Sequence, residues 1–438
     1  MSLFTIDNVL YTLLLDGELT SELSSSWGVL LFATLALAAY GVGWYILSQF
    51  VKRIDAEIVG KSRHFNWMYN AVRIFFFINA GIIALAILQM IFTSQYYVIL
   101  SVAAMASGFT LQAVILGILG YRFLSWFRAN RDLTIFLHGV TFATAALGSA
   151  LIGFANAAIF LTVEPLQVAP ISSSPATIEE IQKAQSFSSS QLYQILLIPF
   201  RLAFGLYWMA TVLLLRSYTK SFGRLKFWTL VSLPLILFIM ASALFNGGYY
   251  EHNVVFDVFT SLTAPLEASL FAAIFLVLAN STRKGTVGWG NRPLVFYLTV
   301  SGFGVMVLMA TVSSPVHYID FHQTPYPPFA VIPWSFGGFA AYMFSIGFYF
   351  SAISISQDRM LRKSIRRIAT SETKLIGEIG MAQMHQEIER KVTLMTEEQE
   401  EILHKQTGIE QSLSEEEIKQ YIDEALEETR RLQREQEE

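Results

Sequence analysis

Nine stretches of roughly 20 or more predominantly apolar residues constrain this 438-residue chain more than any other feature, at about 27–50, 67–92, 96–120, 133–163, 191–215, 226–246, 256–280, 294–314 and 331–355. An α-helix rises about 1.5 Å per residue, so about 20 such residues cross the hydrocarbon core of a bilayer. The expected fold is all-α: a polytopic transmembrane helix bundle of about nine spans over residues 27–355. An extracytoplasmic segment over 1–26 precedes it, and a helical tail over 356–438 follows.

Composition supports that class. Hydrophobic residues make up 53% of the chain and charged residues only 15%, against about 25% charged in soluble domains. The net charge of −4 argues against a nucleic-acid partner, which needs a basic surface to neutralise phosphates. Cysteine is absent, which removes disulfides, thiolate metal sites and cysteine nucleophiles. The first 26 residues lack the basic start and small-residue cleavage site of a secretory signal.

Orientation follows from the connecting loops. Lys52, Arg53, Lys61 and Arg63 follow the first span, and Arg122, Arg128 and Arg131 end the third. Arg216, Lys220, Arg224 and Lys226 follow the fifth, and Arg283, Lys284 and Arg292 the seventh. The alternate loops carry only Lys183. By the positive-inside rule the N-terminus lies outside and the tail in the cytoplasm of a multi-pass cell-membrane protein.

The tail opens with Arg359, Arg362, Lys363, Arg366 and Arg367, a juxtamembrane basic cluster suited to anionic lipid headgroups. Leu361, Ile365, Ile368, Leu375 and Ile379 then keep a three-four spacing. A later segment begins with Ser414 and Glu417 in capping-box spacing. The reading is amphipathic helix with a coiled-coil-like seam, which self-associates or docks on a protein partner; a solvated acidic tail is the alternative.

Charges inside spans are costly in lipid and usually face the bundle interior. Arg201 and Glu267 each lie about ten residues, or ~15 Å, below the outer end of an inward-running span. Equal depth and opposite charge suggest an intramembrane ion pair, functional or purely structural. Arg73 lies near a cytoplasmic end and is read as snorkelling. Asn79, Gln112 and Asn156 are read as interhelical hydrogen-bonding residues. On the outer face, Glu251, His252 and Asp257 flank one span, and His317, Asp320 and His322 lie in another loop. Imidazole with carboxylate is a candidate ligand or metal cluster, although an interfacial belt explains the same residues with Tyr249, Tyr250, Tyr318 and Tyr326. His385 lacks the surroundings of a phosphoacceptor. No catalytic, nucleotide-binding or cofactor motif is present, so neither an enzymatic activity nor a cofactor is expected.

The stretch PPFAVIPWSFGGFAAYMFSIGFYFSAISISQDRMLRKSIRRIA resembles the last helix and juxtamembrane segment of uncharacterised multi-pass membrane proteins of ammonia-oxidising archaea. The PPF opening, the GFYFSAISIS helix end and the LRKSIRRIA continuation carry the likeness, which covers the last third of the chain and brings no functional residue with it. The general plan is similar to multi-pass sensor modules of membrane receptors, without their kinase or cyclase output. The expectation is a non-enzymatic membrane sensor or adaptor. A transporter or channel using Arg201 and Glu267, or an accessory subunit of a larger membrane complex, is the alternative.

Overall fold

The computed structural model describes residues 2–15, 26–57, 63–131, 133–162, 168–169, 191–216, 223–246, 266–277, 279–280, 292–312, 327–329 and 331–353, together with Arg390 and Leu394. The described helices are α1 (Ser2–Leu15), α2 (Ser26–Glu57), α3 (Arg63–Thr93), α4 (Val98–Asn130) and α5 (Leu133–Thr162). They continue with α6 (Gln191–Leu215), α7 (Arg224–Asn246), α8 (Leu266–Val277), α9 (Arg292–Val312), α10 (Val331–Ser335) and α11 (Gly337–Ile353). Two-residue strands β1 (Tyr96–Tyr97) and β2 (Val168–Ala169) pair antiparallel.

Among the described residues, four helices are long and apolar enough to cross a membrane, over Ser26–Gln49, Trp67–Thr93, Ile99–Arg128 and Leu133–Phe154. Shorter apolar helices occupy Arg201–Leu213, Leu266–Val277, Val295–Met309 and Gly337–Ile353. The architecture is that of an α-helical membrane protein. One helix lies outside the expectation: α1 forms where the sequence suggested only an extracytoplasmic segment, and its buried Phe4 sets its ring 5.2 Å from that of Phe336.

The third apolar run continues helically to Asn130, and the chain then reverses through Arg131 in the left-handed region, φ 48°. The Arg131 N–H donates to the Phe127 carbonyl at 2.7 Å and closes the end of α4. Between α4 and α5 the backbones lie close because small residues meet there. A Cβ on Gly120 would lie 2.8 Å from the Ala143 nitrogen, and one on Gly139 would press on Leu124. At the far end of this antiparallel pair, the β1–β2 bridge ties the α3–α4 connection to the chain beyond α5.

The core gathers around α10 and α11, where all residues from 331 to 353 are buried. Here α9 crosses α11 backbone to backbone: a Cβ on Gly304 would meet the Phe344 backbone at 2.5 Å, and one on Gly347 the Ser301 nitrogen at 2.5 Å. Glycine at such crossings lets helices approach where lipid offers no hydrophobic drive for association. Around α11, the Phe348 ring lies 4.8 Å from His138, 5.4 Å from Phe142, 5.7 Å from Tyr207 and 6.1 Å from Phe275. Aromatic faces thus join α5, α6 and α8 to the centre.

A polar crossover at a break in the central helix

The central helix is interrupted. Pro333 brings no N–H, and glycines 337 and 338 are weak helix formers. The Phe336 N–H donates to the Pro333 carbonyl at 3.0 Å, a three-residue turn, and regular bonding resumes with Ala340 N–H to the Phe336 carbonyl at 2.9 Å. Regular helix runs to Ser335 and begins again at Gly337, with Phe336 a turn residue between the two.

Side chains from three other helices meet that gap. The Ser335 hydroxyl donates to the Ile332 carbonyl at 2.7 Å, so the Tyr40 hydroxyl, 2.7 Å from Ser335 Oγ, is the donor in that contact. Asn79 Nδ2 donates to the Ser335 carbonyl at 2.8 Å. The Ser107 hydroxyl in turn bonds Asn79 Oδ1. Below them, α4 presses on the gap itself, because a Cβ on Gly108 would strike the Trp334 carbonyl. One turn along α4, Gln112 is 1% exposed and its Oε1, packed against Gly337, has no hydrogen-bond partner among the described residues. The Phe336 ring packs 4.8 Å from Tyr40 and 5.7 Å from Phe76. The arrangement offers neutral hydroxyls and amides only. It fixes helix positions, and among the described residues it holds no nucleophile paired with a base.

Asn79 therefore does bind helices together, as its sequence context suggested. Tyr40, Ser107 and Ser335 escaped the sequence reading, since single hydroxyls in apolar helices carry no periodic signal. The one usable sign was Pro333 followed by two glycines inside an apolar span, the interruption that often accompanies sites in transporters. The core also holds His138, whose Nδ1 lies 2.7 Å from the Thr134 carbonyl and donates to it.

Arg201 and Glu267 lie on α6 and α8, with Glu267 buried at 8% exposure and Arg201 half-buried. The Phe204 and Phe271 rings are 5.8 Å apart, and Tyr207 and Phe275 both reach Phe348. This register makes the two helices parallel and puts both charges about one turn before the Phe204–Phe271 contact. They share a level, while no hydrogen bond or ion pair of Glu267 is seen among the described residues. Arg73 is exposed on α3, its guanidinium carbon 5.9 Å from the Trp44 ring centre. Asn156 lies in α5.

Glu251, His252, Asp257, His317, Asp320 and His322 lie outside the described residues, as do Arg359, Arg362, Lys363, Arg366, Arg367 and His385. Among the described residues no group of His, Asp or Glu could hold a metal. No protein family, characterised protein or solved structure matches the chain.

Proposed function

We propose that this protein is a non-enzymatic integral membrane sensor or adaptor. A ligand or partner engages the outer half of a nine-span bundle, and the last helix carries the change to a cytoplasmic tail that pairs with itself or with another protein. The observation that supports this reading is the burial of the whole of α10 and α11. The helix that leads into the tail is the one every neighbouring helix packs against, so a shift in any of them is felt there. The test is purification of the full chain and of a chain ending at Gln357 from native membranes. The expected outcome is a stoichiometric protein partner, or a self-associated species, present with the full chain and lost with the shortened one. Equal behaviour of the two would end the reading.

The orientation belongs to the same proposal, with the N-terminus outside and the tail inside. The Lys/Arg bias of the loops supports it, as does the β1–β2 bridge, which joins two segments that the bias assigns to the same side. In this cysteine-free chain, Ser173→Cys is expected to react with a membrane-impermeant thiol reagent in intact cells and Ser412→Cys to stay protected. The reverse pattern would invert the topology.

Transport is the second reading, favoured by the shared level of Arg201 and Glu267. Removing one partner of a buried pair costs about 3–5 kcal/mol, whereas replacing both is close to neutral. Arg201→Leu and Glu267→Leu should each lower unfolding stability in detergent, with partial recovery in the double variant. Additive losses would mean that the two charges do not interact. Ion or solute flux in proteoliposomes, lost in both single variants, would replace the sensor reading with the transport one.

A further inference from the structure

We infer that the α2–α3 face around Arg73 is a binding site for an anionic phospholipid, whose headgroup phosphate meets the Arg73 guanidinium while an acyl chain lies along α3. This goes beyond the sensor reading and does not depend on it, since a bound lipid serves a sensor and a transporter alike.

Arg73 is an exposed charge on the least covered of the four long candidate spans, a stretch 28% buried among the described residues. Its neighbours on that surface are apolar, with Ile74 58% exposed and Phe77 50%. The helices around it supply no counter-anion, because no Asp or Glu occurs in 26–54, 58–131 or 331–353. Arg73 lies only ~9 Å past Trp67, where the apolar stretch begins. Side chains on a helix lean toward its N-terminus, which in α3 is the near edge of that stretch. The guanidinium therefore reaches back toward the headgroups, and phosphate is the anion that a bilayer offers there.

The side chain is also held ready. The Trp44 ring of α2 lies 5.9 Å from the guanidinium carbon and 4.9 Å from the Phe77 ring. Attraction to a ring face needs no hydrogen-bond acceptor, so the forked N–H donors remain for two phosphate oxygens. Asn70, exposed one turn nearer the edge, adds an amide donor. In the other direction the row continues from Phe77 at four-residue steps through Gly81 and Leu85, both exposed. Among the described residues nothing lies within 4 Å of the Cβ position of Gly81, which leaves a shallow channel for an acyl chain. Where α2 connects to α3, the sequence sets Lys52, Arg53, Lys61 and Arg63 against Asp55 and Glu57. That positive balance favours a headgroup of net negative charge over a zwitterionic one.

Native mass spectrometry of the full-length protein, released from detergent, measures lipid retention directly. The probes are phosphatidylglycerol and phosphatidylcholine with identical acyl chains. The native chain is expected to retain phosphatidylglycerol at about tenfold lower concentration than phosphatidylcholine, and Arg73→Gln to bring the two within about twofold. Arg128→Gln, which removes an exposed arginine of α4, should leave the preference in place. Excess inorganic phosphate should not displace the lipid, since the site also holds the chain. Equal retention of the two lipids by the native chain, an unchanged preference in Arg73→Gln, equal losses in the two variants, or displacement by inorganic phosphate would each overturn the proposal. Should Arg73→Gln fail to fold, Trp44→Leu releases the guanidinium without removing it. A smaller loss of preference is then expected, and an unchanged preference overturns the proposal equally.

Discussion

The helix α3 and the joined pair α10–α11 are both apolar along their length, yet they occupy opposite environments. Only 28% of the apolar stretch in α3 is buried, although it is the most apolar of the four long candidate spans, while 56% of the stretch in α4 is buried. The central α10–α11 is buried throughout. In water the most apolar helix would be expected at the core, because burial is driven by removing apolar surface from solvent. In a bilayer the lipid tails are as apolar as leucine, so hydropathy marks which residues tolerate lipid and says little about which meet protein. Position is decided instead by side-chain size at the crossings. On α3, Ile74, Phe77, Ile78, Leu85, Leu88, Ile91 and Phe92 face outward. On α11, by contrast, Gly337, Gly338 and Gly347 admit other helices.

The sharpest test of this contrast replaces the same residue type in both places. Phe348→Ala, which empties a fully buried ring site (0% exposed), should cost about 3–5 kcal/mol. Phe92→Ala, at 81% exposure, should fall within about 0.5 kcal/mol of the native protein. Reversible unfolding in mixed micelles measures both. Comparable losses at the two positions would mean that α3 is covered by protein in the native membrane and is not a lipid-facing helix.

Glycine gives the next largest effect, with opposite signs. Gly347→Ala puts a Cβ 2.5 Å from the Ser301 nitrogen and should destabilise by about 1–3 kcal/mol through overpacking. Gly81→Ala meets nothing within 4 Å and should stabilise by up to about 1 kcal/mol, through helix propensity alone. The same unfolding assay checks the pair, and a destabilising Gly81→Ala would reveal an unseen neighbour on α3. The smallest effect concerns Arg73 and Trp44. Trp44→Leu should lose about 0.5–1 kcal/mol, and the loss should vanish when Arg73 is already Leu. A loss that persists in that background would mean that Trp44 contributes through packing alone.

Much of the helical organisation was legible because apolar length is a direct physical requirement. The fifth expected stretch, 191–215, coincides with Gln191–Leu215, and the sixth and eighth lie within two residues of Arg224–Asn246 and Arg292–Val312. The number of membrane crossings was less legible: among the described residues four helices are long and apolar enough to span, and four further apolar stretches are shorter. The candidate site was mostly hidden. Asn79 stood out as an amide in an apolar run, but its partner is a backbone carbonyl 256 residues away, and every residue owns such a carbonyl. Tyr40 and Ser335 are 295 residues apart and resemble dozens of other hydroxyl residues in the chain. Helix α1 was missed because a 14-residue helix falls below the length on which spanning arguments rest.

The central position of α10 and α11 also sets an order of manufacture. Chains emerge from the ribosome N-terminus first, and domains tend to form as their residues appear. The α4–α5 hairpin, closed by Arg131 at one end and by the β1–β2 bridge at the other, can assemble early from near neighbours in sequence. The helix that all of them surround is made after α9. Until then Asn79 and Tyr40 lack their Ser335 partners, and the glycine faces of α4 and α9 have nothing to grip. Docking of α10 and α11 is therefore the step that completes these contacts. An arrested nascent chain lacking it would present unmet hydrogen-bonding groups within the bilayer, a signal that membrane quality control could read.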